Sequence, residues 1–122
     1  MKLQYTTEEV KENCTSVKAA KKLFGGNAEL VPKLFSTIQA LKSADTIKDI
    51  IMQPPFRFHK LKNKKGRDLE GWFAIDIKKK EPWRIILRPL NEKMEPYNPC
   101  DIDKIAAEVH IVEIMEISNH YE

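Results

Sequence analysis

The sequence predicts an α+β fold, in which an N-terminal strand and helices pack on one face of a mainly antiparallel, twisted β-sheet. Two observations lead to this prediction. Between residues 17 and 51 apolar side chains recur every three or four positions, as in amphipathic helices, and from residue 56 the period changes to two, as in strands. The chain has 122 residues without internal repeats or a linker, which indicates one domain over residues 1–122.

The first half of the chain carries the helix signals. Residues 2–5 are predicted to form a strand, and the spacing of Thr6 and Glu9 is that of a capping box that starts a helical turn. A short helix over residues 17–24 follows, with Thr15 or Ser16 as its cap and two glycines as its stop.

The next helix is the longest one predicted. It begins near residues 27–29, because Pro32 is tolerated only in a first turn, and it runs to about residue 43. Asp45 is predicted to cap a last short turn over residues 46–51. The proline pair at 54–55 then favours an extended entry to the strands.

The second half is predicted to contain strands and turns. Their predicted order is a strand from residue 56, a turn at 63–69, a strand at 72–77, a hairpin turn at 78–82, a strand at 83–88, a loop at 91–103 and a central strand at 108–117. In the strand at 83–88, alternation buries Ile85 and Leu87 and leaves Arg84 and Arg88 on the other face.

Composition narrows the class of protein. No run approaches the roughly 18 apolar residues of a membrane span, and the N-terminus lacks the apolar segment of a secretory signal. Cys14 and Cys100 lie far apart and form neither a CxxC motif nor a Cys/His cluster. We therefore expect a cytoplasmic protein with reduced thiols, no membrane partner, no structural zinc site and no cofactor.

Positive charge is concentrated in the middle of the chain. Residues 54–88 hold eleven Lys/Arg against four Asp/Glu, while residues 89–122 hold two against eight. This imbalance indicates one polarised, anion-binding face, on which His59, Arg84 and Arg88 would share the side of the strands away from the core. The alternative for the three consecutive lysines at 78–80 is a solvated turn that protects a sheet edge.

A face of this kind has the residue types that metal-free RNA cleavage needs. A general base deprotonates the 2′-hydroxyl, cations stabilise charge on the phosphate, and an acid protonates the leaving 5′-oxygen. The chain lacks a phosphate-binding glycine loop, a GxSxG, an HExxH and a carboxylate cluster for Mg²⁺. Histidine titrates in the range that these proton transfers require, although a lone strand histidine is more often a surface or packing residue.

Six segments in order resemble the HigB-like plasmid maintenance killer proteins of the RelE/ParE toxin superfamily. They are AKKLFG at 20–25, LFSTIQALKSADTIKD at 34–49, FHKLK at 58–62, GWFAIDI at 71–77, WRIILRP at 83–89 and VEIMEISNH at 112–120. The resemblance covers nearly the whole chain. It implies a toxin of a type II toxin–antitoxin system that cleaves messenger RNA, in the family typically on the ribosome, and that a cognate antitoxin of helix-turn-helix type neutralises.

The resemblance also implies roles for individual residues. The candidates for catalysis are His59, Lys62, Arg84 and His120, with the two histidines as the proton-transfer pair. The candidates for RNA binding are Arg57, Lys60, Arg67, Arg88, Asn119 and Tyr121.

Two alternatives remain beside the nuclease. The family's closing Asp-Tyr-His is Ser118-Asn119-His120 here, which allows a non-catalytic RNA- or protein-binding member with a degenerate active site. Glu116 has the strand parity of His120 and could replace the missing acid. The gyrase-inhibiting branch of the superfamily generally lacks the nuclease histidines, so His59 and His120 argue against it.

Overall fold

A computed structural model of the chain describes residues 1–63 and 66–120, and its fold is the predicted α+β class. The strands are β1 (Lys2–Tyr5), β2 (His59–Lys60), β3 (Phe73–Asp76), β4 (Arg84–Leu90) and β5 (Ile111–Ser118). The helices are α1 (Glu8–Thr15), α2 (Val17–Leu23), α3 (Leu30–Ser43), α4 (Ile47–Ile51) and α5 (Ile102–Ile105). Short 3₁₀ turns span Pro54–Phe56 and Ala106–Glu108.

All five strands belong to one sheet, in the order β1-β5-β4-β3-β2. The pairings β2–β3, β3–β4 and β4–β5 are antiparallel, whereas β1 runs parallel to β5 with Leu3 opposite Val112. The last strand is therefore an interior strand, as predicted, although it begins at Ile111 because residues 106–108 form a 3₁₀ turn.

The main core lies between the helices and one face of the sheet. The strand residues on this helix-covered face follow the predicted alternation, with Ile75 on β3, Ile85 and Leu87 on β4, and Ile114 on β5 all fully buried. They share a cluster with buried apolar residues of α1–α4, which are Val10, Cys14, Ala20, Leu30, Val31, Leu34, Ile38, Leu41, Ile47 and Ile50. Burial of this apolar surface is the main stabilisation of the fold.

The other side of the sheet, which we call the distal face, carries a much smaller core. In register order its strand residues include Ala74 and Asp76 on β3, Arg84, Ile86 and Arg88 on β4, and Glu113, Glu116 and Ser118 on β5. Only Ala74 and Ile86 of these pack in an apolar cluster, together with Leu61 and Leu69 from the segment between β2 and β3. Charged side chains flank this cluster at both ends.

Two of the predicted helix caps are wrong by one residue. Thr7, not Thr6, caps α1 by accepting a hydrogen bond from the Val10 amide. Ser16 caps α2, which was one of the two predicted choices. At α4 the cap is Thr46, not Asp45, because Asp49 completes a capping box with it.

The segment before β2 differs from the predicted extended entry. Pro54 occupies the first position of a 3₁₀ turn, where its fixed φ is compatible and its missing amide costs nothing. The turn ends at Arg57, which is left-handed with φ +45° and ψ +50°, so regular pairing starts only at His59. The loop predicted at 91–103 ends earlier than predicted, because α5 begins at Ile102.

The helices in residues 1–63 and 66–120 are all too short or too polar to cross a membrane.

Candidate active site

Register across the sheet fixes the position of His59 on the distal face. His59 lies opposite Ala74, Ala74 opposite Ile86, and Ile86 opposite Glu116. Residues opposite each other point to the same side, so His59 and Glu116 share the distal face. Their strands are three spacings apart, which is about 14 Å.

A second row on the same face holds a cluster of two arginines and one aspartate. Asp76 lies opposite Arg84, and Arg84 lies opposite Ser118. Arg57, two residues before His59, donates from Nε to Oδ2 of Asp76 at 2.9 Å. We call Arg57, Asp76 and Arg84 the Arg–Asp–Arg cluster. Its two guanidinium groups and one carboxylate leave one net positive charge.

Within this cluster Arg84 is held most firmly. Its Nε lies 2.8 Å from Oδ1 of Asp76, an ion-pair contact without the alignment of a hydrogen bond, and the two side chains are only 14% and 12% exposed. Its Nη1 donates to the carbonyl oxygens of Glu81 and Trp83 in the β3–β4 hairpin. Arg84 thus both ties the hairpin turn to β4 and contributes charge to the distal face.

Two other predicted RNA-binding cations also face carboxylates. Arg88 donates to Glu113 at 2.6 Å on the distal face. Lys60 lies opposite Phe73, so its strand position belongs to the helix-covered face, and its Nζ lies 3.2 Å from Glu70. Local carboxylates therefore offset part of the positive charge that the sequence concentrates in this region.

His59 contacts the backbone beside the Arg–Asp–Arg cluster. Its Nδ1 lies 2.6 Å from the carbonyl oxygen of Arg57, and its side chain is half-buried. A carbonyl oxygen only accepts hydrogen bonds, so Nδ1 is the donor in this contact. Nε2 is then the nitrogen that gains or loses a proton.

His120 lies at the end of the sheet where Arg84 begins β4. It is exposed and stands two residues beyond Ser118, the register partner of Arg84, and its backbone amide donates to Ser118 Oγ at 3.0 Å. Asn119 is exposed between them. Tyr121, a predicted RNA-binding residue, lies outside the described residues. In strand order, the Arg–Asp–Arg cluster lies between His59 and His120.

Two predicted residues follow β2 instead of lying in the sheet. Lys62 is exposed one residue after Leu61, whose amide donates to the carbonyl of Trp72. Arg67 is exposed after Gly66, which adopts φ +77° in the turn. His110 lies at the opposite end of β5 from His120, with Nδ1 3.0 Å from the Asp45 carbonyl oxygen.

Asp76 is the residue of this site that the sequence analysis missed. A signal for it was present, because Asp76 has the strand parity opposite to Ile75 and Ile77 and faces Arg84 across a predicted hairpin. Opposite charges directly across an antiparallel pair stabilise that pairing. Recognising the pair required the hairpin register, which the sequence alone left open.

Two surface depressions among the described residues lie away from the predicted site residues. They lie beside β1, with about 480 Å³ lined by residues such as Tyr5 and Lys11, and beside Tyr97 and Glu108, with about 440 Å³. Neither depression includes a predicted site residue. Among residues 1–63 and 66–120, no three His, Cys, Asp or Glu side chains lie close enough together to hold a metal ion.

The two cysteines are free and buried. Burial raises the pKa of the Cys14 thiol to about 12, and it also raises the pKa of Cys100, so both groups stay protonated near neutral pH. Neither thiol is part of the candidate site.

Comparisons of the chain with protein-family models, with curated proteins and with solved structures found no match.

Proposed function

We propose that this protein is the toxin of a type II toxin–antitoxin system and cleaves messenger RNA as a metal-independent endoribonuclease. The observation that carries the proposal is the register of β3, β4 and β5. It aligns Asp76, Arg84 and Ser118 in one row, and His120 follows two residues later at the same end of the sheet. Asp76 on β3 and Arg84 on β4 thus lie on the two strands between β2, which holds His59, and β5, which His120 follows.

The proposed chemistry assigns one proton transfer to each histidine. Nε2 of His59 takes the proton of a 2′-hydroxyl as that oxygen attacks phosphorus. The bond from phosphorus to the 5′-oxygen breaks, and protonated His120 gives its proton to that oxygen. The products are a 2′,3′-cyclic phosphate and a 5′-hydroxyl end, and both histidines then return to their starting states by exchange with water.

The cations supply the remaining catalysis. Negative charge grows on the phosphate oxygens in the transition state, and a pre-positioned guanidinium stabilises it without reorganisation. Arg84 is the best-positioned group for this role, because its backbone and carboxylate contacts fix it. Lys62 and Arg67 are exposed beside the distal face and are proposed to bind the RNA backbone, together with Arg57, Arg88 and Asn119.

The proposal is tested by incubating the purified protein with messenger RNA, with and without ribosomes. We expect cleavage by the wild type, and a loss of about 10²- to 10⁴-fold in His59→Ala and in His120→Ala, the usual contribution of a general acid or base. His110→Ala is the matched control, since His110 is also an exposed β5-flanking histidine but lies at the other end of the strand. Intact RNA under both conditions would contradict the proposal.

A specific observation favours a second candidate, a non-catalytic RNA-binding member of the same toxin fold. Arg57, Arg84 and Arg88 all contact carboxylates, and Arg84 is only 14% exposed, so its guanidinium has a structural role already. This candidate predicts RNA binding that weakens steeply with salt, without cleavage products. The cleavage assay described above, together with an RNA-binding assay over a salt series, therefore distinguishes the two candidates.

The proposed partner is a small antitoxin of helix-turn-helix type that covers the distal face. Growth arrest on expression of this chain, relieved by the product of an adjacent gene, would support that partner. Growth arrest that persists in both histidine variants would instead argue for a toxic action other than RNA cleavage.

A further inference from the structure

The geometry points to Asp76 as a positioning residue that orients the His59 ring by way of Arg57. This inference rests on the proposed nuclease function, because the orientation of His59 matters to a reaction only if the ring transfers a proton. Asp76 itself has no role in proton transfer here. Its contacts are the two arginines of the Arg–Asp–Arg cluster.

Two contacts connect Asp76 with His59 through Arg57, and a third holds the backbone of Arg57. Oδ2 of Asp76 accepts from Nε of Arg57 at 2.9 Å. The amide of Arg57 donates to the carbonyl of Pro54 at 2.9 Å. The carbonyl oxygen of Arg57 lies 2.6 Å from Nδ1 of His59. Arg57 is therefore held at its amide and its side chain, and it holds the His59 ring with its carbonyl.

The backbone of Arg57 has an uncommon conformation that its contacts must hold in place. Arg57 is left-handed, with φ +45° and ψ +50°, which a residue with a side chain rarely adopts. Such a conformation persists only where the surroundings hold it, and it is concentrated at functional sites. The contact with Asp76 anchors the side chain of this residue and thereby helps to fix the direction of its carbonyl.

The contact between that carbonyl and His59 determines which ring nitrogen exchanges protons. Because the carbonyl only accepts, Nδ1 keeps its hydrogen whether the ring is neutral or charged. The proton therefore enters and leaves at Nε2. A general base needs this fixed tautomer, since a ring that alternates between tautomers presents the wrong nitrogen for part of the time.

The distal face also provides a matched control for Asp76. Glu113 is a carboxylate on the same face, it pairs with Arg88 at 2.6 Å, and its side chain is 18% exposed against 12% for Asp76. Its register partner is Arg88, four residues along β4 from Arg84. Asp76→Asn removes the charge of a carboxylate that contacts Arg57 and Arg84, and Glu113→Gln removes that of a carboxylate that contacts Arg88.

The test is nitrogen NMR of the His59 ring at alkaline pH, where imidazole is neutral, combined with steady-state RNA cleavage. In the wild type we expect a protonated Nδ1 and an unprotonated Nε2. In Asp76→Asn we expect the two nitrogen shifts to move toward each other as the tautomers mix. We also expect kcat to fall about 10- to 100-fold, by analogy with the loss of a partner that orients a metal-bound histidine. Because Asp76 also contacts Arg84, the nitrogen shifts are the readout that assigns the effect to His59.

The Glu113→Gln variant shows whether changes in the His59 shifts and in kcat are specific to Asp76. Glu113→Gln should leave the His59 shifts and kcat unchanged. The inference is overturned if Asp76→Asn leaves the His59 tautomer as in the wild type, or if Glu113→Gln alters it equally. Should Asp76→Asn fail to fold, Arg57→Gly removes the same anchor while glycine accepts the left-handed backbone, and an unchanged tautomer there overturns the inference as well.

The two readouts separate the inference from the proposed function. A wild type that cleaves no RNA contradicts the nuclease, yet the NMR comparison still decides whether Asp76 orients His59. A wild type that cleaves RNA, with the same kcat in Asp76→Asn, leaves the nuclease standing and refutes the positioning role.

Discussion

The two faces of the sheet bury their side chains in different ways. On the helix-covered face, buried apolar residues from β3, β4 and β5 form one cluster with residues of α1–α4. On the distal face, within residues 1–63 and 66–120, four buried residues that include Ile86 form a cluster, and ion pairs stand on either side of it. The same strands therefore supply stability on one side and charged groups on the other.

This difference shows how a small domain combines a stable core with a polar surface. Strand residues alternate between faces, so each additional pair of residues in β4 extends both the core and the charged surface. Loss of apolar burial on the helix-covered face cannot be compensated by the small distal cluster. The following predictions test this comparison.

The largest expected effect is a loss of stability, compared between alanine variants of two adjacent residues of β4. Ile85 faces the helices, Ile86 faces away from them, and both are fully buried. We expect Ile85→Ala to lower the free energy of unfolding by about 4 kcal/mol and Ile86→Ala by about 2 kcal/mol, because the small distal cluster can collapse around the missing atoms. Urea unfolding measures both values. Equal losses would mean that the two faces contribute alike.

A smaller loss of stability is expected when the arginine is removed from either of two ion pairs on the distal face. Arg84→Met leaves a carboxylate that is 12% exposed with one arginine fewer, whereas Arg88→Met leaves Glu113 more accessible to water. We expect a loss of about 2 kcal/mol for Arg84→Met and about 1 kcal/mol or less for Arg88→Met. Thermal unfolding at matched ionic strength measures the difference, and a larger loss for Arg88→Met would reverse the ranking.

The third prediction concerns RNA affinity. Lys62 is exposed after β2 beside the distal face, and Lys33 is exposed on α3. If the distal side meets RNA, Lys62→Ala should weaken binding and lower the slope of log affinity against log salt by about 1. Lys33→Ala should leave that slope unchanged. Fluorescence anisotropy over a salt series measures both, and equal slopes for the two variants would contradict a binding site on this side.

The last prediction concerns a loss of stability of the helix-covered core at alkaline pH. The pKa of Cys14 is raised from 9.0 to about 12 by burial, so the folded state keeps the proton that the unfolded state loses. This contribution is fully present below pH 9 and declines as the pH rises toward 12. Urea unfolding of the wild type and of Cys14→Ala over this range tests it. The pH dependence of the wild type should be the steeper, and parallel curves would contradict the assignment.

Much of the fold followed from local patterns. The helix at Leu30–Ser43 and the alternation of Ile75, Ile85 and Leu87 were predicted because hydrophobic period identifies an element and its buried face. The left-handed Arg57 and the short β2 were not predicted, because the proline pair before them is compatible with either an extended segment or a 3₁₀ turn.

The candidate site was predictable in its residue types but not in its pairing. The sequence analysis placed Arg84 and Arg88 on one face as cations. It treated both as available to phosphate, whereas each contacts a carboxylate of a neighbouring strand. Glu113 is 25 residues from Arg88, so no local pattern connects them, and only the register of β4 with β5 brings them together.

By itself the sequence determined the α+β class, the buried face of each long strand and the basic character of residues 54–88, because these depend on period and composition. Tertiary structure alone decided that Asp76 joins Arg57 to Arg84 and that Arg84 lies opposite Ser118, two residues before His120. The physical reason is that a strand's alternation is set by its own backbone, whereas its register is set by the competition of all its possible partners for core burial.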